Sequence, residues 1–213
     1  MRRDKGSKRN GGAVLGLKKR APGRPRSEEA RQAILRSTLQ FLQSRGFSEL
    51  TIEAVASHAG VGKATVYRWW PNKAALVADA FAESVVPELH FPDTGSLIGD
   101  MSRQMQQVVR IFRSRRGRIV AALLGGGQGD RSLLQAFRDR FLRPRRQEAY
   151  ATLQRAIARG ELPKSVDQDL LLDALYGPIY MRFLIRHDSL NGDFVQHLCR
   201  MVLADFKSSS SKR

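Results

Sequence analysis

The sequence predicts an all-α protein, with an N-terminal three-helix helix-turn-helix domain and a C-terminal helical bundle domain. Apolar residues recur at helical spacing through most of the 213 residues. No segment alternates with the two-residue period of a strand. Near residue 60, a corner of small, glycine and apolar residues separates two short helical segments. These three observations define the fold class.

The positive charge of the chain indicates a polyanionic partner. Its 37 Lys and Arg residues oppose 20 Asp and Glu residues, which gives a formal net charge of +17. Ten of the cations lie within residues 1–26. A phosphate backbone is the commonest partner for such an excess. An anionic membrane surface, and a tail that only aids solubility, are the alternatives.

Cysteine usage and hydropathy indicate the compartment. Cys199 is the only cysteine, which excludes an intrachain disulfide and agrees with a reducing environment. No segment approaches the ~18 consecutive apolar residues of a membrane span, and the cationic N-terminus lacks the apolar core of a signal peptide. We therefore expect a cytoplasmic protein without a membrane partner.

Composition divides the chain into four segments. Residues 1–26 are rich in Gly, Lys and Arg and predict a disordered basic arm. Residues 27–90 predict the helix-turn-helix domain, and residues 91–206 predict the second helical domain. Residues 207–213 contain only Ser, Lys and Arg and predict a flexible tail.

The helices are predicted from their caps and breakers. The first is expected over Ser27–Arg45, with Ser27 as N-cap and Gly46 in the C′ position. Further helices are expected from Asn72, over 94–115, over 131–159 with a kink or break at Arg143-Pro144, over Asp167–His187 and over Asp193–Phe206, with Asp167 and Asp193 as N-caps. The run Gly125–Gly129 predicts a loop.

The segment TIEAVASHAGVGKATVYRWW predicts the helix-turn-helix. Thr51 is a good N-cap, and Leu50 and Val55 have the spacing of a hydrophobic staple. Gly60 stands where the chain must turn with positive φ. A second short helix follows from Gly62, with Val66 and Trp69 turned inward. Such a second helix projects from the surface and fits a DNA major groove.

The outward residues of the second helix have side chains that suit DNA. Lys63, Thr65, Tyr67 and Arg68 can bind phosphates or base edges. Lys73 lies in the first turn of the fourth helix, where a cation opposes the helix dipole. That position makes sense if Lys73 and the helix N-terminus both point at a phosphate. Core packing of Tyr67 and ordinary solvated charges at Arg68 and Lys73 are the alternatives.

The run LTIEAVASHAGVGKATVYRWWPNKAALV resembles the DNA-binding domain of the TetR family of regulators, and GRPR at Gly23–Arg26 resembles the basic lead-in before it. The resemblance implies that Thr51, Lys63, Thr65, Tyr67 and Lys73 contact phosphates or bases. Gly62 departs from the Ser often found there. The complete set of predicted DNA-binding residues is Arg24, Arg26, Thr51, Lys63, Thr65, Tyr67, Arg68 and Lys73.

The motif DAxxGPIYxRxL at Asp173–Leu184 is similar to the C-terminal domain of a large TetR subgroup, which implies a helical ligand-binding and dimerisation domain. The penultimate helix is apolar nearly all round, so a partner subunit is its natural cover. The predicted dimer interface consists of Leu171, Leu175, Ile179, Phe194, Leu198, Met201 and Val202. The hypothesised ligand pocket, for which plain core is the alternative, consists of Phe112, Leu123, Phe137, Phe141, Tyr176 and Tyr180.

The function expected from these features is that of a dimeric, DNA-binding transcription regulator. Repression, and release from the operator by a small-molecule effector, follow from the resemblance. The expected partners are double-stranded DNA, a second copy of the chain and that effector. We expect no catalytic residue, metal site or cofactor, because the four histidines are scattered and no nucleotide-binding or nucleophile motif occurs. An architectural basic DNA-binding protein without a ligand is the alternative.

Overall fold

The structure is a computed structural model that describes residues 27–209. This part of the chain contains α-helices and no strand. The helices are α1 (Glu28–Ser44), α2 (Ile52–His58), α3 (Lys63–Tyr67), α4 (Lys73–Val85), α5 (Leu97–Arg113), α6 (Arg115–Gly127), α7 (Arg131–Phe137), α8 (Arg143–Ala158), α9 (Gln168–Ile185) and α10 (Gly192–Ser209). A 3₁₀ turn (Val86–Glu88) follows α4, and a π-helical segment (Arg138–Leu142) joins α7 to α8. Within residues 27–209, no helix is both long and apolar enough to cross a bilayer.

The N-terminal helices begin at the predicted caps. The Ser27 hydroxyl accepts a hydrogen bond from the Ala30 amide at 3.3 Å, and the Thr51 hydroxyl accepts one from the Ala54 amide at 3.1 Å. Each cap satisfies an amide that has no partner within its helix. Leu50 and Val55 are both buried, as the predicted staple requires.

The corner between α2 and α3 has the predicted backbone conformation. Gly60 adopts φ +67°, which a side chain would strain. The Val61 amide then donates to the Ala56 carbonyl at 3.0 Å and closes the turn. Of the tryptophan pair that follows α3, Trp70 is the fully buried member and Trp69 is only partly buried. The prediction that Trp69 points inward is therefore true only in part.

Helix α4 connects the two halves of the molecule. It packs on α1 of the helix-turn-helix domain and on α6, α7 and the π-helical segment of the C-terminal domain. Nine of its thirteen residues are buried, including Phe81, whose ring centroid lies 5.0 Å from that of Phe141. Both faces of α4 are therefore covered, one by α1 and the other by helices of the C-terminal domain.

The glycine run after residue 124 is helical as far as Gly127, so the loop predicted over Gly125–Gly129 is wrong for its first three residues and correct for the last two. Helix α6 continues to Gly127, and only the next three residues leave it. A Cβ on Gly126 would lie 3.1 Å from Leu133 Cδ2, and one on Gly127 would lie 3.0 Å from Leu134 Cβ. The glycines therefore allow close packing against α7.

At the predicted kink or break at Arg143-Pro144 the chain stays helical, but a π-helical segment ends directly before Arg143 and separates α7 from α8. Pro144 has no amide hydrogen to donate to the carbonyl four residues earlier. In the residue before it, the Arg143 amide donates to the Arg138 carbonyl, five residues back. Such π turns often occur at functional sites.

The last two helices largely follow the predicted bounds. The Asp167 carboxylate caps α9 by accepting from the Leu170 amide at 3.0 Å. The prediction of Asp193 as the next cap is wrong, since the Asn191 side chain accepts from the Phe194 amide at 2.9 Å. Helix α10 ends at Ser209, three residues into the predicted tail. The predicted arm (1–26) and residues 210–213 lie outside the described residues.

Candidate DNA-reading face and effector cavity

The first candidate site is the outward face of α3, which we call the reading face and define by Lys63, Thr65, Tyr67 and Arg68. Val66 is fully buried and anchors the helix, whereas the Tyr67 side chain is 46% exposed. Lys63 and Arg68 are exposed and Thr65 is partly buried. The alternative of Tyr67 as a core residue is therefore wrong. The structure brings these four predicted residues together, three of them on α3 and Arg68 as its C-cap.

Lys63 is held in place by two neighbours. Its ammonium forms a salt bridge with Glu53 of α2 and lies 5.7 Å from the centroid of the Tyr67 ring. The hydrogen bond that Lys63 donates to Glu53 raises the pKa of Lys63, and the same bond lowers the pKa of Glu53. Lys63 therefore stays protonated, and DNA phosphate would compete with an exposed carboxylate for it.

The other predicted DNA-binding residues have structural contacts of their own. Thr51 is exposed and caps α2, which leaves its hydroxyl hydrogen for donation. The Lys73 ammonium lies 4.2 Å from the centroid of the Phe47 ring, and burial lowers the pKa of Lys73. The structure thus gives Lys73 a cation–π contact within the protein, and its contact with a DNA phosphate remains a prediction. Arg24 and Arg26 lie outside the described residues.

The second candidate site is a cavity of about 350 Å³ inside the C-terminal domain, which we call the effector cavity. Its walls come from α4, α5, the end of α6, α7, the π-helical segment, α8 and α9. Five predicted pocket residues line it, namely Phe112, Phe137, Phe141, Tyr176 and Tyr180. The prediction of Leu123 is wrong, because its side chain is fully buried in the core and does not line the cavity.

Aromatic rings and a few polar groups form the cavity surface. The rings of Phe137 and Phe141 have centroids 5.2 Å apart, and those of Phe112 and Tyr180 have the same separation. The Tyr176 hydroxyl donates to Gln104 Oε1. Burial raises the pKa of Tyr180 to about 12 and also raises the pKa of Tyr176. Both phenols are therefore neutral near pH 7 and act as hydrogen-bonding groups.

Two family descriptions match the chain in register with these sites. Residues 34–80 match "Bacterial regulatory proteins, tetR family", and residues 91–202 match "Tetracyclin repressor-like, C-terminal domain". The chain belongs to the TetR family of transcriptional regulators. It is a DNA-binding regulator, and the match of its C-terminal half to the family favours this over the architectural DNA-binding protein kept as the alternative above.

Individual relatives agree with the family assignment. The uncharacterized HTH-type transcriptional regulator YdeS of Bacillus subtilis (strain 168) is 37% identical over 189 residues, which cover 89% of this chain and 96% of YdeS. The DNA-binding transcriptional repressor TetR of Mycobacteroides abscessus is 32% identical over 151 residues, 70% of this chain and 78% of that protein. The crystal structure of the TetR family regulator SCO0332 superposes with a TM-score of 0.74 at 35% identity, covering 83% of this chain and 97% of that one.

TetR-family regulators act as dimers, and the predicted interface residues can be compared with the apolar side chains that the protomer leaves exposed. Leu171, Leu175, Ile179 and Leu198 are buried within the protomer. Their prediction as interface residues is therefore corrected, since side chains that are already covered have little surface left for a partner. Phe194 and Val202 are partly buried, and Met201 is 71% exposed.

The exposed apolar surface of this TetR-family regulator follows α9 and α10. We call it the dimer face, after the role that we propose for it below, and define it by Leu170, Ala174, Gly177, Met181 and Leu184 on α9, with Met201 and Ala204 on α10. The residues on α9 follow each other at intervals of three or four, which places them along one side of the helix. Leu170 is 66% exposed and Met181 is 58% exposed. A row of large apolar and small side chains is suited to a close helix–helix contact.

A chain of polar contacts connects the effector cavity to the end of α3. Trp70 is buried, and its indole Nε1 donates to Asp79 Oδ2 of α4 at 2.7 Å. The same carboxylate oxygen accepts from Arg140 of the π-helical segment. That segment also supplies Arg138, Phe141 and Leu142 to the cavity wall. Asp79 thus connects the cavity wall with the residue that follows the reading face by two positions.

Sequence reasoning missed Asp79, Arg140 and most of the dimer face. The spacing of Leu170, Ala174, Gly177 and Met181 is visible in the sequence. Because α9 is apolar on nearly every side, that spacing did not distinguish the outward row from the buried one. No sequence signal joins Asp79 to Arg140, which are 61 positions apart.

Proposed function

We propose that this regulator is a homodimeric repressor that binds a near-palindromic operator and is released when a small molecule occupies the effector cavity. The observation that carries the proposal is the continuity between the two sites. The cavity wall includes Phe81 of α4, and the π-helical segment of that wall contacts Asp79, which holds Trp70 beside the reading face. The M. abscessus relative is a DNA-binding transcriptional repressor, which supports repression as the direction of regulation. We expect the protein to act in the cytosol.

Each subunit would place α3 in the major groove of one half-site. In a symmetric dimer, the two reading faces are related by a two-fold axis, so the half-sites are inverted repeats about one helical turn apart or more, roughly 34 Å or longer. Lys63 would bind phosphates, Arg68 would bind phosphates or guanine edges, and Tyr67 would reach bases or phosphates. Arg24, Arg26 and the rest of the basic arm would add contacts that depend steeply on salt.

The dimer face would hold the two subunits together through α9 and α10 of each. Four helices would then form one seam, with the apolar row of α9 covered by its symmetry mate. An apolar groove lined by Leu170, Ala174, Val202 and Phe206 lies along this face. Because the interface is isologous, a change at one position acts twice in the dimer.

Release of the operator would occur if the ligand binds more tightly to a conformation in which the spacing of the two reading faces does not fit the operator. A ligand changes DNA affinity only as far as it prefers one conformation over the other. Since α4 contributes to the cavity wall and packs on α1, a ligand that moves α4 changes the distance between the two α3 helices of the dimer.

Two variants of Asp79 test the contact between the cavity wall and Trp70. Asp79→Ala leaves the buried indole N–H without its acceptor, and we expect about 1–3 kcal/mol lower stability and weaker operator binding. Asp79→Asn retains an acceptor oxygen for Trp70 but removes the charge opposite Arg140, so it should lose less stability. Chemical denaturation and operator titration measure both. If Asp79→Ala has the stability and operator affinity of the wild type, Asp79 does not couple the cavity wall to the reading face.

The proposed mode of DNA binding is tested by selecting bound sequences from random duplexes with the full-length protein. We expect enrichment of two inverted half-sites at a constant spacing. Enrichment of a single asymmetric site would contradict the symmetric dimer. No enrichment at low salt would contradict operator recognition by α3.

A further inference from the structure

The effector cavity contains a buried arginine that its apolar walls do not explain. Arg145 lines the cavity and is only 7% exposed. Its Nη1 donates to Glu148 Oε2 at 2.7 Å, and its guanidinium carbon lies 4.9 Å from the centroid of the Phe91 ring, which also lines the cavity. Among residues 27–209, Nη2 of Arg145 has no hydrogen-bond acceptor.

An unused donor on a buried cation is an unusual feature of a folded protein. Leaving a buried donor without an acceptor costs free energy, and the cost is larger when the donor is charged. Glu148 occupies only one of the two terminal nitrogens of the guanidinium, and it approaches from a side chain that is 47% exposed. A ligand oxygen that reached Nη2 would satisfy the remaining donor, and the low dielectric of the cavity would strengthen that bond.

The charge on the cavity wall favours an anion. Three cations line the cavity, namely Arg138, Arg145 and Arg146, and the one carboxylate in the described lining is Asp173. Arg146 is neutralised locally, because its Nη1 donates to Asp173 at 2.7 Å and its Nη2 donates to Asp169. A cationic ligand has no acceptor to offer the unused Nη2 donor of Arg145, and a doubly charged phosphate would find only this one buried cation with an unused donor.

We propose that the effector is an apolar, ring-containing monocarboxylate whose carboxylate is bound by Arg145. A planar carboxylate matches the planar guanidinium and forms short, charge-assisted hydrogen bonds with it. The aromatic wall around Phe112, Phe137 and Phe141 covers the ring, and the Tyr176–Gln104 pair adds a neutral polar contact. A volume of about 350 Å³ lies at the small end of ligand pockets, which suits a compact ring system. This inference rests on the proposed role of the cavity as the effector site.

The test uses matched probes on the full-length dimer. The probes are benzoic, 2-naphthoic and 4-biphenylcarboxylic acid, each compared with its primary carboxamide and with the corresponding arylmethylamine. Affinities are measured by calorimetry at pH 7, where the acids are ionised. We expect at least one acid to bind about 10-fold or more tightly than its amide, with the amine weakest, as one charge-assisted hydrogen bond provides.

Two arginine variants show which side chain is responsible for the preference for the acid over its amide. In Arg145→Gln, the acid and its amide should bind within about 3-fold of each other, whereas Arg138→Gln, which removes an exposed cation from the same wall, should keep most of the preference. Comparing acid with amide inside each variant corrects for any loss of stability. If Arg145→Gln does not fold, Glu148→Gln replaces it, and this variant should bind the acid several-fold more tightly because it removes the competing carboxylate.

The outcomes separate this inference from the proposed function. Equal binding of acid and amide by the wild type, an undiminished preference in Arg145→Gln, or failure of all three acids to bind would overturn the assignment of the ligand class. Operator binding that persists in those cases leaves the regulator itself intact. An acid that binds through Arg145 without changing operator affinity supports the ligand class and contradicts ligand-induced release.

Discussion

The substitution Met181→Glu is expected to convert the dimer into monomers and to lower operator affinity by about 100-fold or more. Met181 is 58% exposed in the protomer and belongs to the apolar row of α9. In the proposed seam, two glutamates would approach each other across the two-fold axis. Burying two like charges without partners costs several kcal/mol. Loss of the second reading face removes an avidity factor of about 10²–10⁴.

Light scattering coupled to size-exclusion chromatography measures the mass, and titration of an operator duplex measures the affinity. Val86→Glu is the matched control, since Val86 is also an exposed apolar residue, at 41%, but belongs to the 3₁₀ turn after α4. The control should remain dimeric with unchanged operator affinity. A dimeric Met181→Glu protein would show that the subunits associate through another surface.

Removal of the Tyr67 side chain is expected to lower operator affinity by about 10- to 100-fold, which corresponds to the ~1–3 kcal/mol of a good contact to a base. The loss has two sources. Tyr67→Ala removes the phenol from the reading face, and it removes the ring on which the Lys63 ammonium rests at 5.7 Å. Because the side chain is half exposed, the free energy of unfolding should change by less than about 0.5 kcal/mol.

Two further variants separate the parts of this effect. Tyr67→Phe keeps the ring under Lys63 and loses only the hydroxyl, so it isolates the hydrogen bond to DNA. Lys63→Ala should weaken binding to all sequences alike and lower the slope of log affinity against log salt by about 1. Operator titrations at several salt concentrations measure both. Wild-type affinity in Tyr67→Ala would place sequence recognition elsewhere than on α3.

The reading face could be predicted from the sequence because it depends on short-range rules. A capping hydroxyl at Thr51, a positive-φ glycine at Gly60 and an inward Val66 determine which side of α3 faces outward. Each rule acts within one or two turns of helix, so the sequence contains all the information that it needs. The aromatic composition of the effector cavity was accessible for a related reason, since large apolar side chains at helical spacing must line the interior of a helical domain.

Only the tertiary structure decided which apolar and polar residues remain available to a partner. Gly126 and Gly127 predicted a loop, yet they belong to α6 and pack closely against α7. Leu171 and Leu170 are neighbours of equal hydrophobicity, yet one is covered by the protomer and the other is exposed. The burial of Arg145 and the contact of Asp79 with Arg140 depend on helices that are distant in sequence. Burial is a property of how helices pack on one another, whereas capping and turn formation are properties of the residues themselves, and the sequence by itself determines only the second kind.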